Sequence, residues 1–216
     1  MRLSTRSARV GAALVAAFAA LEIGADAGID WKSARHDAAL DVWTRPVAGS
    51  QYDEVRVAGN ICASLDALTA YVQDVAHFAD WIPDTAEAKL LAQPSAAERL
   101  YYIRTDMPWP VKDRDMVYRL VAAQDAHATT IEMTGLPDYV PPKPDAVRMA
   151  SVRGSWRIEP RGEHSTHVVL EMRVEPGGSV PIWFARRRIV ALPTGMIENL
   201  EHEFAHACNT TPASHS

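Results

Sequence analysis

Met107-Pro108-Trp109-Pro110-Val111-Lys112-Asp113-Arg114-Asp115-Met116-Val117-Tyr118 separates two strand-like runs, residues 100–105 and 116–121. Each proline removes a backbone donor and fixes φ, so Pro108 and Pro110 end the first run and impose a rigid connection. The Arg114-Asp115 pair then stands at the start of the second run. A strand, a Pro-Trp-Pro turn, a charged pair and a second strand therefore follow one another within a short stretch.

Other segments extend the pattern outward. Upstream, Trp31-Lys32 precedes Val42-Trp43-Thr44-Arg45-Pro46-Val47-Ala48-Gly49-Ser50, and Ala79-Asp80-Trp81-Ile82-Pro83-Asp84 follows an amphipathic stretch. Downstream come Pro141-Pro142-Lys143 through Val147-Arg148, then Gly154-Ser155-Trp156-Arg157-Ile158-Glu159-Pro160, then Gly177-Gly178-Ser179-Val180-Pro181-Ile182-Trp183. In order and spacing, from about residue 30 to about residue 205, these resemble the signature segments of START domains, the lipid-binding modules named for steroidogenic acute regulatory protein. Trp109, Pro110, Arg114 and Asp115 carry the family's turn signature. The resemblance implies an α+β helix-grip (SRPBCC) fold, in which a curved antiparallel β-sheet wraps around a long C-terminal α-helix and encloses a hydrophobic cavity. It also implies binding, and transfer, of a lipid or other hydrophobic small molecule beneath that helix. Cholesterol-binding members carry an acid–base pair at positions that fall here near Tyr101 and Leu120, neither charged, which departs from the cholesterol pattern although Tyr101 could still supply one hydroxyl. An enzyme of the same superfamily, a polyketide cyclase or aromatase, is the alternative; it needs an acid or base inside the cavity.

The chain has 216 residues, 48% of them hydrophobic, and a formal net charge of −5. That suits one globular domain and disfavours nucleic acid, whose binders carry basic surfaces. Arg2, Arg6 and Arg9 precede an apolar run, residues 10–21, and Ala25-Asp26-Ala27 is a small-x-small pattern. This predicts a secretory signal peptide over residues 1–27, with an uncleaved N-terminal anchor as the alternative. A lipid-binding domain over 28–207 and a tail over 208–216 follow, giving an exported, periplasmic or secreted protein expected to act as a monomer. Cys62 and Cys208 are the two cysteines. An oxidising compartment invites a disulfide between them, but two inert thiols are the preferred reading.

Along the domain the pattern predicts a short helix over 30–40, then strands over 40–46 and 52–61 with Ala48-Gly49-Ser50 as the turn. Ser64 stands as an N-cap before Leu65, Leu68, Tyr71, Val72 and Val75, whose spacing marks an amphipathic helix with Asp66 in its first turn. Strands follow over 86–91, 99–107, 115–123, 129–134, 147–158 and 167–175. The last alternates clearly, with Val168, Leu170, Met172 and Val174 on one face. Pro181 opens a long helix on which Ile189, Leu192, Met196, Leu200 and Phe204 recur at helical steps, and Pro193-Thr194-Gly195 is expected to interrupt it.

If the sheet grips this helix, the ligand-lining candidates are Tyr101, Ile103, Thr105, Met116, Tyr118, Leu120, Leu170 and Met172, facing Met196 and Leu200. They describe an apolar space, expected to approach the ~300–1,000 Å³ of small-molecule pockets, with methionines that suit varied ligands. Arg114 and Asp115 read first as a structural ion pair that sets strand register, and second as a ligand-head contact. Arg186-Arg187-Arg188 reads as a solvated helix start, or as a patch for anionic membrane headgroups beside Ile182-Trp183-Phe184, giving transient membrane contact. His202-Glu203-Phe204-Ala205-His206 matches H-E-x-x-H, but Phe204 continues the apolar stripe and no carboxylate follows it. No catalytic residue, metal or cofactor is assigned.

Overall fold

The computed structural model describes residues 30–209, with side chains through His206. The signal-peptide segment and the tail from residue 210 lie outside the described residues. Ten strands form one sheet: β1 (Lys32–His36), β2 (Leu40–Arg45), β3 (Glu54–Ile61), β4 (Thr85–Ala92), β5 (Glu98–Thr105), β6 (Asp113–Gln124), β7 (Thr129–Gly135), β8 (Ala146–Arg148), β9 (Ser151–Pro160) and β10 (Thr166–Glu175). Three helices accompany them: α1 (Leu65–Tyr71), the single turn α2 (Phe78–Trp81) and α3 (Ile182–Asn209). Across the sheet the order is β1-β2-β3-β10-β9-β7-β6-β5-β4, antiparallel throughout, while β8 pairs in parallel with the start of β6.

The alternation on β10 fixes which way the sheet faces. Thr166, Val168, Leu170, Met172 and Val174 are buried, and the residues between them are half-buried on the other face. α3 covers the buried face, lying against β2, β3, β10 and α2. Leu68, Phe78, Ile131, Ile158, Ile197 and Leu200 are among the residues this closes off from water. This is the α+β helix-grip arrangement. Ser64 caps α1 as expected, its Oγ accepting the Ala67 N–H at 3.3 Å. α1 is shorter than its hydrophobic pattern, because the chain turns after Tyr71 and resumes as a 3-10 turn (Val75–His77) and α2.

Four expectations are corrected. Residues 30–40 hold strand β1, not a helix; all five of its residues are exposed, and antiparallel pairing with β2 supplies the structure that a buried face does not. The predicted strand over 147–158 is two strands, β8 and β9. Between them the Met149 N–H donates to the Asp115 carbonyl at 2.9 Å and the Ala150 N–H to the Glu175 carbonyl at 3.0 Å. α3 continues through Pro193-Thr194-Gly195, with the Thr194 hydroxyl donating to the Val190 carbonyl at 2.8 Å. Cys62 is disulfide-bonded, which overturns the reading of two inert thiols; the side chain of Cys208 lies outside the described residues.

Candidate functional site

The turn from Met107 to Lys112, its Trp109–Pro110 peptide cis, faces the start of α3 across an open cleft of ≈ 600 Å³. Trp109, Pro110 and Val111 form one wall, and Pro181, Trp183 and Phe184 the other. Trp109 is 92% exposed and Trp183 71%, so two indoles project into water at the cleft's rim. Arg114 lines the cleft as well.

Arg114 also lines a second, apolar compartment of ≈ 50 Å³ with Thr105, Met149, Val174, Ile189 and Leu192. Leu192 in turn forms part of a third compartment, ≈ 20 Å³, walled by Ile103, Met116, Tyr118, Met172 and Met196 together with Trp81 and Met133. Cleft, outer compartment and inner compartment thus share walls in series: Arg114 stands between the first two and Leu192 between the last two. The inner volume is about that of one water site, well below the space expected from the sequence. Both compartments abut α3, and four methionines line the inner one, Met133 among them. Unbranched thioether side chains adapt to irregular space more readily than branched ones.

Of the ten lining candidates, Ile103, Met116, Tyr118, Met172 and Met196 meet in the inner compartment, and Thr105 lines the outer one. Tyr101, Leu120, Leu170 and Leu200 are fully or almost fully buried in the core and line none of the three spaces. The Tyr101 hydroxyl donates to the Gln73 carbonyl at 2.5 Å, so it is committed to the fold. Burial pushes its ionisation up to about 12. Tyr118 is held well above the ordinary phenol value, first by burial and then by neighbouring Tyr101. Met149, Val174, Ile189 and Leu192 were not among the candidates. Val174 continues the buried alternation of Met172, and Ile189 and Leu192 belong to the apolar stripe of α3, so the signal was present.

The signature charges separate. Successive strand residues point to opposite faces, and Arg114 and Asp115 do not pair with each other. Asp115, 0% exposed, receives a two-pronged contact from Arg148: Nε to Oδ1 at 2.9 Å and Nη2 to Oδ2 at 3.1 Å. Arg148 also donates to the Pro137 and Val140 carbonyls. The expected structural ion pair therefore exists with a different partner, and it fastens β8 and the 137–141 loop to β6. Gly177 shapes the other side. Its φ is +67°, a region that favours glycine, and a Cβ there would lie 2.7 Å from the Arg148 carbonyl.

The arginine run on α3 is not one patch. Arg188 pairs with Asp84, and Arg186 donates to the Gln51 carbonyl at 3.0 Å. In the H-E-x-x-H segment Phe204 packs edge-on against Tyr71 at 5.1 Å, and one helical turn before it Glu198, the acid that could have completed a three-ligand face, is paired with Arg35 at 2.5 Å. Among the described residues no cluster of His, Cys, Asp or Glu is arranged to hold a metal ion, and no helix is long and apolar enough to cross a membrane.

The family model for the START domain matches residues 22–211. An uncharacterized protein of Pseudomonas aeruginosa is 34% identical over 172 residues, covering 79% of this chain and 85% of its own. The crystal structure of a STAR-related lipid transfer protein fragment from Xanthomonas axonopodis aligns with TM-score 0.74 and 30% identity, over 81% of this chain and 98% of that one. An aromatase/cyclase from Streptomyces shares the fold alone, at TM-score 0.54 and 15% identity over 74% of this chain and 98% of that one. With its signature turn, its gripped helix and this family match in agreement, the chain belongs to the START domain family.

Proposed function

We propose that this protein binds a hydrophobic ligand, a lipid, in the space beneath α3, and carries it between membrane surfaces without transforming it. The observation that carries this reading is the series of shared walls from the Trp109–Trp183 cleft, past Arg114, to the methionine-lined compartment. Burial of an acyl chain there is driven by about 25 cal/mol per Å² of apolar surface removed from water. α3 and the flexible methionines must yield space as the chain enters. The exposed Trp109 and Trp183 suit transient contact with the headgroup region of a bilayer, where indoles are favoured. The Xanthomonas relative's description as a lipid transfer protein supports transfer here. The N-terminal pattern over residues 1–27 and the disulfide at Cys62 favour an oxidising, extracytoplasmic setting.

Cyclase chemistry has less support. The cleft and both compartments contain no His and no carboxylate among their described lining residues; the groups there that could move a proton are Tyr118, which burial holds protonated, and Lys112 on the open cleft. Native purification followed by organic extraction and mass spectrometry tests the proposal. A stoichiometric lipid, and protein-dependent movement of a fluorescent lipid from donor to acceptor vesicles, are the expected results. Failure to take up any lipid, with turnover of an aromatic polyketide precursor, would overturn it.

A further inference from the structure

We propose that Arg114 is the anchor for an anionic head, a carboxylate or a phosphate, on the ligand whose tail occupies the compartments beneath α3. This rests on the hydrophobic-ligand reading and names the chemistry of the ligand's polar end.

A guanidinium carries five N–H donors and no acceptor. Arg114 is 2% exposed, yet only two protein acceptors meet it: the Lys112 carbonyl at 2.5 Å from Nη1 and the Gly177 carbonyl at 3.4 Å from Nη2. Its Nε is buried with no hydrogen-bond partner. Among the described residues no carboxylate pairs with it. The nearby acids are already engaged: Asp115 by Arg148, Asp113 by Arg104 at 2.7 Å, and Asp84 by Arg188. Arg148, the half-buried cation nearby, shows what a finished structural site looks like, with a two-pronged carboxylate and backbone carbonyls. Buried charges are normally paired in that way.

Position makes the incomplete shell of Arg114 informative. The side chain lines both the open cleft and the apolar outer compartment. An anion arriving through the cleft would meet free N–H groups at the boundary where water gives way to hydrocarbon. A planar fork suits carboxylate and phosphate oxygens. Arg188, the other cation on the outer compartment's wall, is held by Asp84. Desolvation pulls the Arg114 guanidinium below its ordinary value, the direction expected of a cation lacking its counter-charge.

The experiment compares matched probes on the full protein: oleic acid against oleyl alcohol, and phosphatidic acid against diacylglycerol with the same chains. Charge-assisted hydrogen bonds should give the acidic member an advantage of about ten- to hundredfold at neutral pH. Arg114→Gln should weaken the acidic member far more than the neutral one, shrinking the acidic advantage to within about twofold. Advantage in the oleate pair alone identifies a fatty-acid carboxylate; advantage in the phosphatidic acid pair alone identifies a phospholipid head. A second readout needs no variant. The carboxyl of carbon-13-labelled oleate, titrated by NMR while bound to the wild-type protein, should ionise at lower pH than in detergent micelles. Equal binding of acidic and neutral members, or a bound carboxyl that titrates at or above its micellar value, overturns the anchor and leaves the hydrophobic site standing. If no member of either pair binds, the lipid reading fails and the anchor with it.

Discussion

Replacing Gly195 by alanine sets two effects of opposite sign against each other. In a helix interior alanine is favoured over glycine by about 1 kcal/mol, and α3 runs unbroken through this position. A Cβ on Gly195 would, however, lie 2.8 Å from Cγ of Pro83 and 3.9 Å from its Cβ. Carbon atoms rest about 3.5–4.0 Å apart, so α3 or the Pro83 turn must retreat by most of an ångström. The pyrrolidine ring is not a flexible end. It follows the Trp81-Ile82 turn, where the Thr85 hydroxyl holds the Ile82 carbonyl at 2.8 Å. Overpacking of this kind costs about 1–3 kcal/mol, and the net expectation is destabilisation by up to about 2 kcal/mol. In a Pro83→Ala background the ring carbon is gone, and Gly195→Ala should instead stabilise by about 1 kcal/mol. Urea unfolding of the four proteins gives the coupling directly, expected at about 1–3 kcal/mol. Because Leu192 and Met196 flank Gly195 and line the inner compartment, the single variant should also speed exchange of a fluorescent lipid in stopped flow. Stabilisation by Gly195→Ala with Pro83 intact would refute the close-approach argument and restore Gly195 as a point of helix weakness.

Breaking the buried pair by Asp115→Asn should cost about 3–5 kcal/mol, because Arg148 is left charged and buried; Asp115→Leu combined with Arg148→Met should recover most of that loss in chemical denaturation. Alkaline titration followed at 295 nm should leave Tyr118 protonated after Tyr101 ionises near its value of about 12. Since the folded values lie above the unfolded ~10, the stability these two phenols contribute is complete below ~10 and lost as pH rises through the folded values; full ionisation near pH 10 with the fold intact would contradict this. Trp109→Ala with Trp183→Ala should lower vesicle partitioning by about tenfold, measured by flotation, with the melting temperature nearly unchanged.

The elements most legible in the sequence were those with one buried face. β10 alternates residue by residue and could be assigned without any partner, and Ser64 marked the start of α1. β1 left no such trace, because its five residues are all exposed and only pairing with β2 makes it a strand. The break between β8 and β9 depends on carbonyls of Asp115 and Glu175, both distant in sequence. The site was half legible for a related reason. Alternation tells which face a residue occupies but not its depth, so Tyr101 and Leu170 read the same as Ile103 and Met172 although only the latter pair reach the inner compartment. Arg114 and Asp115 looked like one unit because they are neighbours in sequence; a strand sends such neighbours to opposite faces, and each acquired its own surroundings.

The position of Leu192 has a consequence for ligand length. Its side chain on α3 lines both the outer and the inner compartment, so on the proposed reading it would be the stop on a gauge whose zero mark is Arg114. Shortening it would merge the two spaces and admit a longer tail; enlarging it would shorten the accepted chain. Neither change touches the residues that meet the head or the rim. On that reading, the accepted chain length would be retuned by substitutions at a single helical position, leaving the fold's fastening at Asp115 and Arg148 undisturbed.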